Sequence, residues 1–167
     1  MTGRKNRSDV SHQPRRDRMD AERVSDPYRS RGKWNEPTTC PECGAIFHHG
    51  HWQWGTAVPG AELHFCPACQ RIRDRVPAGQ LTLSGPFFVE HREEILHLVR
   101  HTESKARAEH ALERIIEVKE GADQTVVTLT GTHLTHGIGE ALHHAYHGEL
   151  DTQYTDEGDL LRVAWSR

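Results

Sequence analysis

The chain has no apolar run approaching the roughly 18 residues a membrane-spanning helix needs. Hydrophobic residues make up only 35% of it, little for one large core, so 167 residues suit one ordinary domain or two small ones. The N-terminus is charged from Arg4 onward and lacks the apolar centre of a secretory signal. Three catalytic or nucleotide-binding signatures are also missing. No Gly-rich run leads into Lys-Ser/Thr after a strand, there is no Gly-x-Ser-x-Gly elbow, and no helix carries His-Glu-x-x-His. A broad positive field is absent as well. Residues 1–39 hold ten Lys and Arg against six Asp and Glu, net +4, whereas residues 40–167 hold eleven against eighteen, net −7. That is not the charge of a protein that coats nucleic acid non-specifically, so any RNA contact rests on local patches.

Cysteine is scarce too, and its placement is informative. All four cysteines lie in two clips, Cys40-Pro41-Glu42-Cys43 and Cys66-Pro67-Ala68-Cys69, with 22 residues between them. Two such clips close a tetrahedral thiolate shell around zinc and leave no position for the water of a catalytic site. The expected metal is therefore structural zinc held by Cys40, Cys43, Cys66 and Cys69; disulfide or redox pairs and an iron centre are the alternatives. Metal clips without a secretory signal favour a reducing cytoplasm.

Residues 1–35 are polar and aperiodic and are expected to form a disordered basic tail. The tail either solubilises the chain or acts as an arm for an anionic surface through Arg15, Arg16, Arg18, Arg29, Arg31 and Lys33. Residues 36–80 form the four-cysteine module, with short strands at Ile46-Phe47, Trp52-Gln53-Trp54 and Leu63-His64-Phe65. Trp52 and Trp54 share a strand face and read as cover for the cluster, or else as a stacking platform for bases. Arg71-Ile72-Arg73-Asp74-Arg75 suits a strand or a tight helical turn. Arg71, Arg73 and Arg75 make it the densest cationic patch of the body, either a solvated face or a phosphate-contacting edge held rigid by the metal.

Residues 81–167 predict a second, α+β unit. Pro86 opens a helix with Phe88, Ile95, Leu98 and Val99 on one face, and Thr102 is positioned to cap another. Strands are expected at 114–118 and 125–129, a helix at 132–147 stopped by Gly148, and strands at 150–154 and 160–165. The economical solution is a small four-stranded sheet packed against helices on one face, a class that includes RNA-binding domains.

Fourteen histidines raise the question of a second metal site. His48, His49, His51 and His64 flank the cysteine clips, which already fill four ligand positions. His136, His143 and His147 share the polar face of the main helix with Glu140, so they predict a pH-sensitive surface or, less economically, a ligand pair. Gly137 and Gly139 interrupt that helix, and close approach of another backbone would explain them. Glu93-Glu94 and Asp156-Glu157 read as solvated charges. No catalytic constellation emerges, and the chain is expected not to be an enzyme.

The cysteine clips, the run Leu134-Thr135-His136-Gly137-Ile138-Gly139-Glu140-Ala141-Leu142, the segment Gly148-Glu149-Leu150 and the terminal Arg162-Val163-Ala164-Trp165 together resemble a bacterial relative of the NMD3 family. The resemblance spans residues 37–166, and the helix and terminal strand carry it more specifically than the clips. NMD3 proteins are zinc-containing factors of the large ribosomal subunit. The resemblance implies zinc on the four cysteines, ribosomal RNA contact through Arg71, Arg73 and Arg75, and no nuclear export role, because the longer proteins' extra domains have no counterpart. The expected function is a cytoplasmic, non-catalytic zinc protein docking on the ribosome or other structured RNA. A zinc-stabilised protein-interaction adapter is the alternative, followed by a metal-handling protein or an unrecognised enzyme.

Overall fold

The computed structural model describes residues 27–28, 34–155 and 159–167. Most of the expected basic tail, and the Asp156-Glu157 pair, lie outside the described residues. The first elements are four short strands, β1 (Thr38–Thr39), β2 (Ile46–His48), β3 (His51–Gln53) and β4 (Glu62–Leu63), in the sheet order β3-β2-β1-β4. Helix α1 (Pro67–Asp74) follows, so the Arg71 to Arg75 run is helical up to its left-handed cap at Arg75.

The second half comprises β5 (Gly79–Ser84), α2 (Pro86–Glu90), α3 (Arg92–Glu109), β6 (Ile115–Glu120), β7 (Gln124–Leu129), α4 (Thr132–Tyr146), β8 (Glu149–Tyr154) and β9 (Leu161–Ser166). Its sheet runs β6-β7-β5-β9-β8, with β5 parallel to β9 and all other neighbours antiparallel. The α+β class and the helix-covered sheet are as expected, but there are five strands where the sequence predicted four. The added strand, β5, is the central one: Leu81 and Leu83 point into the core while Gln80, Thr82 and Ser84 alternate with them on the other face.

Period-2 burial aligns Leu81, Leu83, Val127, Leu129, Leu161, Val163 and Trp165 on one face. The helices cover them with Phe88, Ile95, Leu96, Val99, Leu134, Ile138 and Leu142. The helix expected from Pro86 is broken at His91 into α2 and α3, and α3 runs on through Thr102, whose hydroxyl donates to the Leu98 carbonyl 2.9 Å away within the helix rather than capping a new one. Gly131 is the N-cap of α4. A Cβ on Gly139 would stand 2.8 Å from Val163 Cγ1 and 3.1 Å from a Leu150 methyl, so glycine here lets α4 settle on β8 and β9. The close neighbours are side chains rather than a backbone, and Gly137 faces open space.

The uncovered face of the sheet follows from the register. One row across it is Lys119, Val126, Thr82, Ala164 and Asp151; the next is Glu117, Thr128, Gln80, Arg162 and Gln153. These rows hold no aromatic side chain. Among the described residues, no helix is long and apolar enough to cross a membrane.

Candidate metal centre

Each half of the cluster is made by a local turn that the sequence encodes. Cys40 follows β1, its amide donates to the Ala45 carbonyl at 2.8 Å, and the Gly44 amide donates back to the Cys40 carbonyl at 2.9 Å. This tight turn puts Gly44 at φ 77°, a conformation that favours glycine. The second half is a helix start. Cys66 is the N-cap of α1, Pro67 occupies the first turn without wasting an amide, and the Cys66 sulfur accepts from the Cys69 amide at 3.4 Å. The two halves join through the Cys66 amide, 3.3 Å from Cys40 Sγ.

The four sulfurs lie within 4.8 Å of one another, the single group of three or more metal-ligating side chains so placed among the described residues. Cys43 Sγ and Cys66 Sγ are 3.8 Å apart. A tetrahedral ion with sulfur at about 2.3 Å gives sulfur–sulfur edges of roughly 3.8 Å, so this spacing fits a shared cation, whereas a disulfide needs about 2.05 Å. Cys40, Cys66 and Cys69 are buried and Cys43 is half-buried. Phe47, Trp52, Ala68 and Ala111 pack around them, with Trp34, Trp54, Phe65 and Leu112 at the margin.

The electrostatics call for a cation. Burial, reinforced by the negative charge of its neighbours, pushes the Cys66 thiol far above its ordinary range, and burial lifts Cys69 to about 11. Cys43 goes the other way. Burial would raise it, but a hydrogen bond and the positive charge from Arg114, together with the Ala45 amide, hold it down at about 7. Four crowded thiolates repel one another; a bound divalent ion removes most of that cost.

Arg114, only 5% exposed, is the residue that the sequence did not reveal. Its Nη2 donates to Cys43 Sγ at 3.1 Å and lies 3.9 Å from Cys66 Sγ, while Nη1 donates to Cys69 Sγ at 3.3 Å. The remaining donors, Nε and Nη2, reach the Ala111 carbonyl at 3.0 and 2.8 Å. The guanidinium packs 5.6 Å from the Trp54 ring. Burial opposes its charge, but the thiolates outweigh that and keep it firmly protonated. Nothing in a strand-opening arginine announces partners 45 to 71 residues away.

The other expected site residues are placed as follows. Arg71 is buried, donates to the Val76 carbonyl at 3.1 Å, and stacks 4.5 Å over the Tyr28 ring. Arg73 and Arg75 are exposed, with the Arg73 guanidinium 4.2 Å over Phe65. The arginine trio is thus divided by the helix between interior and surface. His48, His49 and His51 sit on the exposed β2–β3 turn, where Glu36 accepts from the His49 and Gly50 amides, and His64 packs edge-on to Trp34. Trp52 is buried beside Phe47 and Trp34, and Trp54 packs on the arginines, so the pair covers the cluster. His136, His143 and His147 are exposed at α4, with His136 3.7 Å from Glu140 and the His143 and His147 rings 6.4 Å apart.

Comparison of the chain with protein-family models, with curated proteins and with solved structures finds no match in any of the three.

Proposed function

We propose that this chain is a non-catalytic zinc protein that docks on structured RNA through the exposed end of α1. The observation that carries the reading is the construction of that helix. Its first turn, Cys66 to Cys69, belongs to the metal shell, and its last residues present Arg73 and Arg75. A helix anchored by a metal is ordered before it meets a partner, so its cations reach phosphates at a reduced entropic cost. Arg71 serves the frame, fixing the helix end to the Val76 carbonyl. Tyr28 also docks here, its hydroxyl donating to Asp74 at 2.9 Å.

Zinc is the metal of choice because four thiolates in a closed tetrahedral shell match its preference and leave no open position for chemistry. In this reading the four cysteines hold the ion, and the ion supplies folding energy and charge compensation. The likeness to NMD3 proteins makes the large ribosomal subunit the first RNA to test. A second reading, a zinc-stabilised protein adapter, is favoured by the open sheet face, which lacks the aromatic side chains on which sheet-type RNA binders stack bases. Sucrose-gradient fractionation of native lysate, with and without ribonuclease, separates the two. Co-migration with ribosomal particles that ribonuclease abolishes supports RNA docking; a ribonuclease-resistant complex supports the adapter, and migration as free protein overturns both.

A further inference from the structure

The segment from Ala111 to Arg114 touches both the metal cluster and the start of α4. On one side are the Arg114 bonds to three sulfurs and the packing of Ala111 and Leu112 against the cysteines. On the other, the Glu113 carboxylate lies over Gly131 and accepts from the Leu134 amide at 3.2 Å, satisfying one of the free donors of the first turn of α4. Thr130 binds the segment to that turn: its amide donates to the Arg114 carbonyl at 2.9 Å, and its hydroxyl lies 2.9 Å from the Arg114 amide and 2.6 Å from the Leu112 carbonyl.

We propose that Arg114 is a latch that transmits metal occupancy from the cysteine cluster to the N-terminal turn of α4. This rests on the cluster being a metal site. A loaded four-thiolate shell carries about two net negative charges and gives the buried guanidinium its counter-charge. Without the ion the sulfurs lose their common centre, the Arg114 contacts to Cys66 and Cys69 slacken, and the buried guanidinium keeps Cys43 as its main partner. The segment then loosens about that contact, Glu113 slackens on the Leu134 amide with it, and the first turn of α4 loosens. The cleft beside that turn, lined by Thr132, His133, His136, Thr152, Tyr154 and Leu161, opens or reshapes in step. Arg114 is a positioning residue in this scheme, and the metal state becomes legible on a surface of the other unit.

The test is amide hydrogen exchange on the full chain, loaded with zinc and after chelation, with metal content measured by elemental analysis. In the wild type, chelation should speed exchange of residues 111–116 and 130–136 at least tenfold while the β5–β9 pairing stays protected. Arg114→Met should still bind one zinc but lose most of this difference. Glu113→Gln, which leaves the latch in place, should keep the response at 111–116 and weaken it at 130–136. If Arg114→Met does not fold, Arg114→Lys and Glu113→Gln carry the comparison, and an unchanged response in both overturns the proposal. Unchanged exchange at 130–136 in wild type that demonstrably gains and loses zinc overturns the latch alone. A folded wild type that binds no metal overturns the metal reading and the latch together.

Discussion

Arg114 Nη2 stands 3.1 Å from Cys43 Sγ, joining the residue before β6 to a cysteine turn 71 residues earlier in the chain. The contact explains why the Cys43 thiol sits low while Cys66 and Cys69 sit high. It also ties the cluster to the second half of the fold, because the same guanidinium reaches Cys69 and the Ala111 carbonyl. Trp54 adds a second tie through its indole N–H to the Arg107 carbonyl.

Cys66→Ser should eliminate stoichiometric zinc and unfold the small four-stranded sheet. Cys66 caps α1, accepts from the Cys69 amide and donates its own amide to Cys40. Loss of the ion together with these bonds removes more than such a small module has to spare. Elemental analysis and tryptophan fluorescence report the outcome; zinc-free protein with a native spectrum under reducing conditions would contradict it.

The divided arginines make a sharp comparison. Arg71→Gln should lower stability by about 1–3 kcal/mol, because it removes a buried charged donor to the Val76 carbonyl. Replacing Arg73 and Arg75 with Gln should leave denaturant midpoints nearly unchanged and weaken RNA association, lowering the salt slope by roughly 0.7–0.9 for each phosphate no longer neutralised. Equal stability loss in both variants would show that the exposed pair is also structural.

In metal-free protein Cys43 should be alkylated first, half-maximally near pH 7, with Cys66 and Cys69 protected to much higher pH. The linkage has two signs. Cys43 is lowered in the fold from 9.0 to about 7, so its contribution to stability is present above pH 9 and is lost as pH falls through 7. Cys66 and Cys69 are raised, so their contribution is full below pH 9 and fades as pH climbs through about 11 for Cys69. Iodoacetamide labelling read by mass spectrometry checks the order; four cysteines reacting alike near their ordinary pKa would mean that the cluster does not persist without metal.

The two glycines of α4 should respond oppositely to alanine. Gly137→Ala adds a methyl to open space within a helix and should stabilise by about 0.5–1 kcal/mol. Gly139→Ala drives a Cβ against Val163 and Leu150 and should cost about 1–3 kcal/mol. Thermal melts of the two variants suffice, and a shared sign would refute the packing of α4 on β8 and β9.

Much of this architecture was readable in the residues. The cysteine clips announce themselves because ligand spacing is itself the chemistry, and the sulfur positions agree with a shared cation. The main helix and its apolar stripe of Leu134, Ile138 and Leu142 were equally plain, since a 3.6-residue period needs no distant partner. Strand β5 was hidden in a boundary region between the clips and Pro86, where two leucines alternating with polar residues give a short signal. Thr102 looked like a cap because threonine bonds local backbone in either direction, and only the continuing helix shows which carbonyl it chose.

The sequence by itself determined the four-cysteine cluster, the α+β succession and the charge contrast between tail and body, all of them properties of local spacing and composition. Tertiary structure alone decided which of three neighbouring arginines is buried, which of two helical glycines is closely packed, and that Arg114 faces the cysteines. Those choices depend on what another segment brings to within a few ångströms, and no period or motif along a single chain encodes a partner 71 residues away.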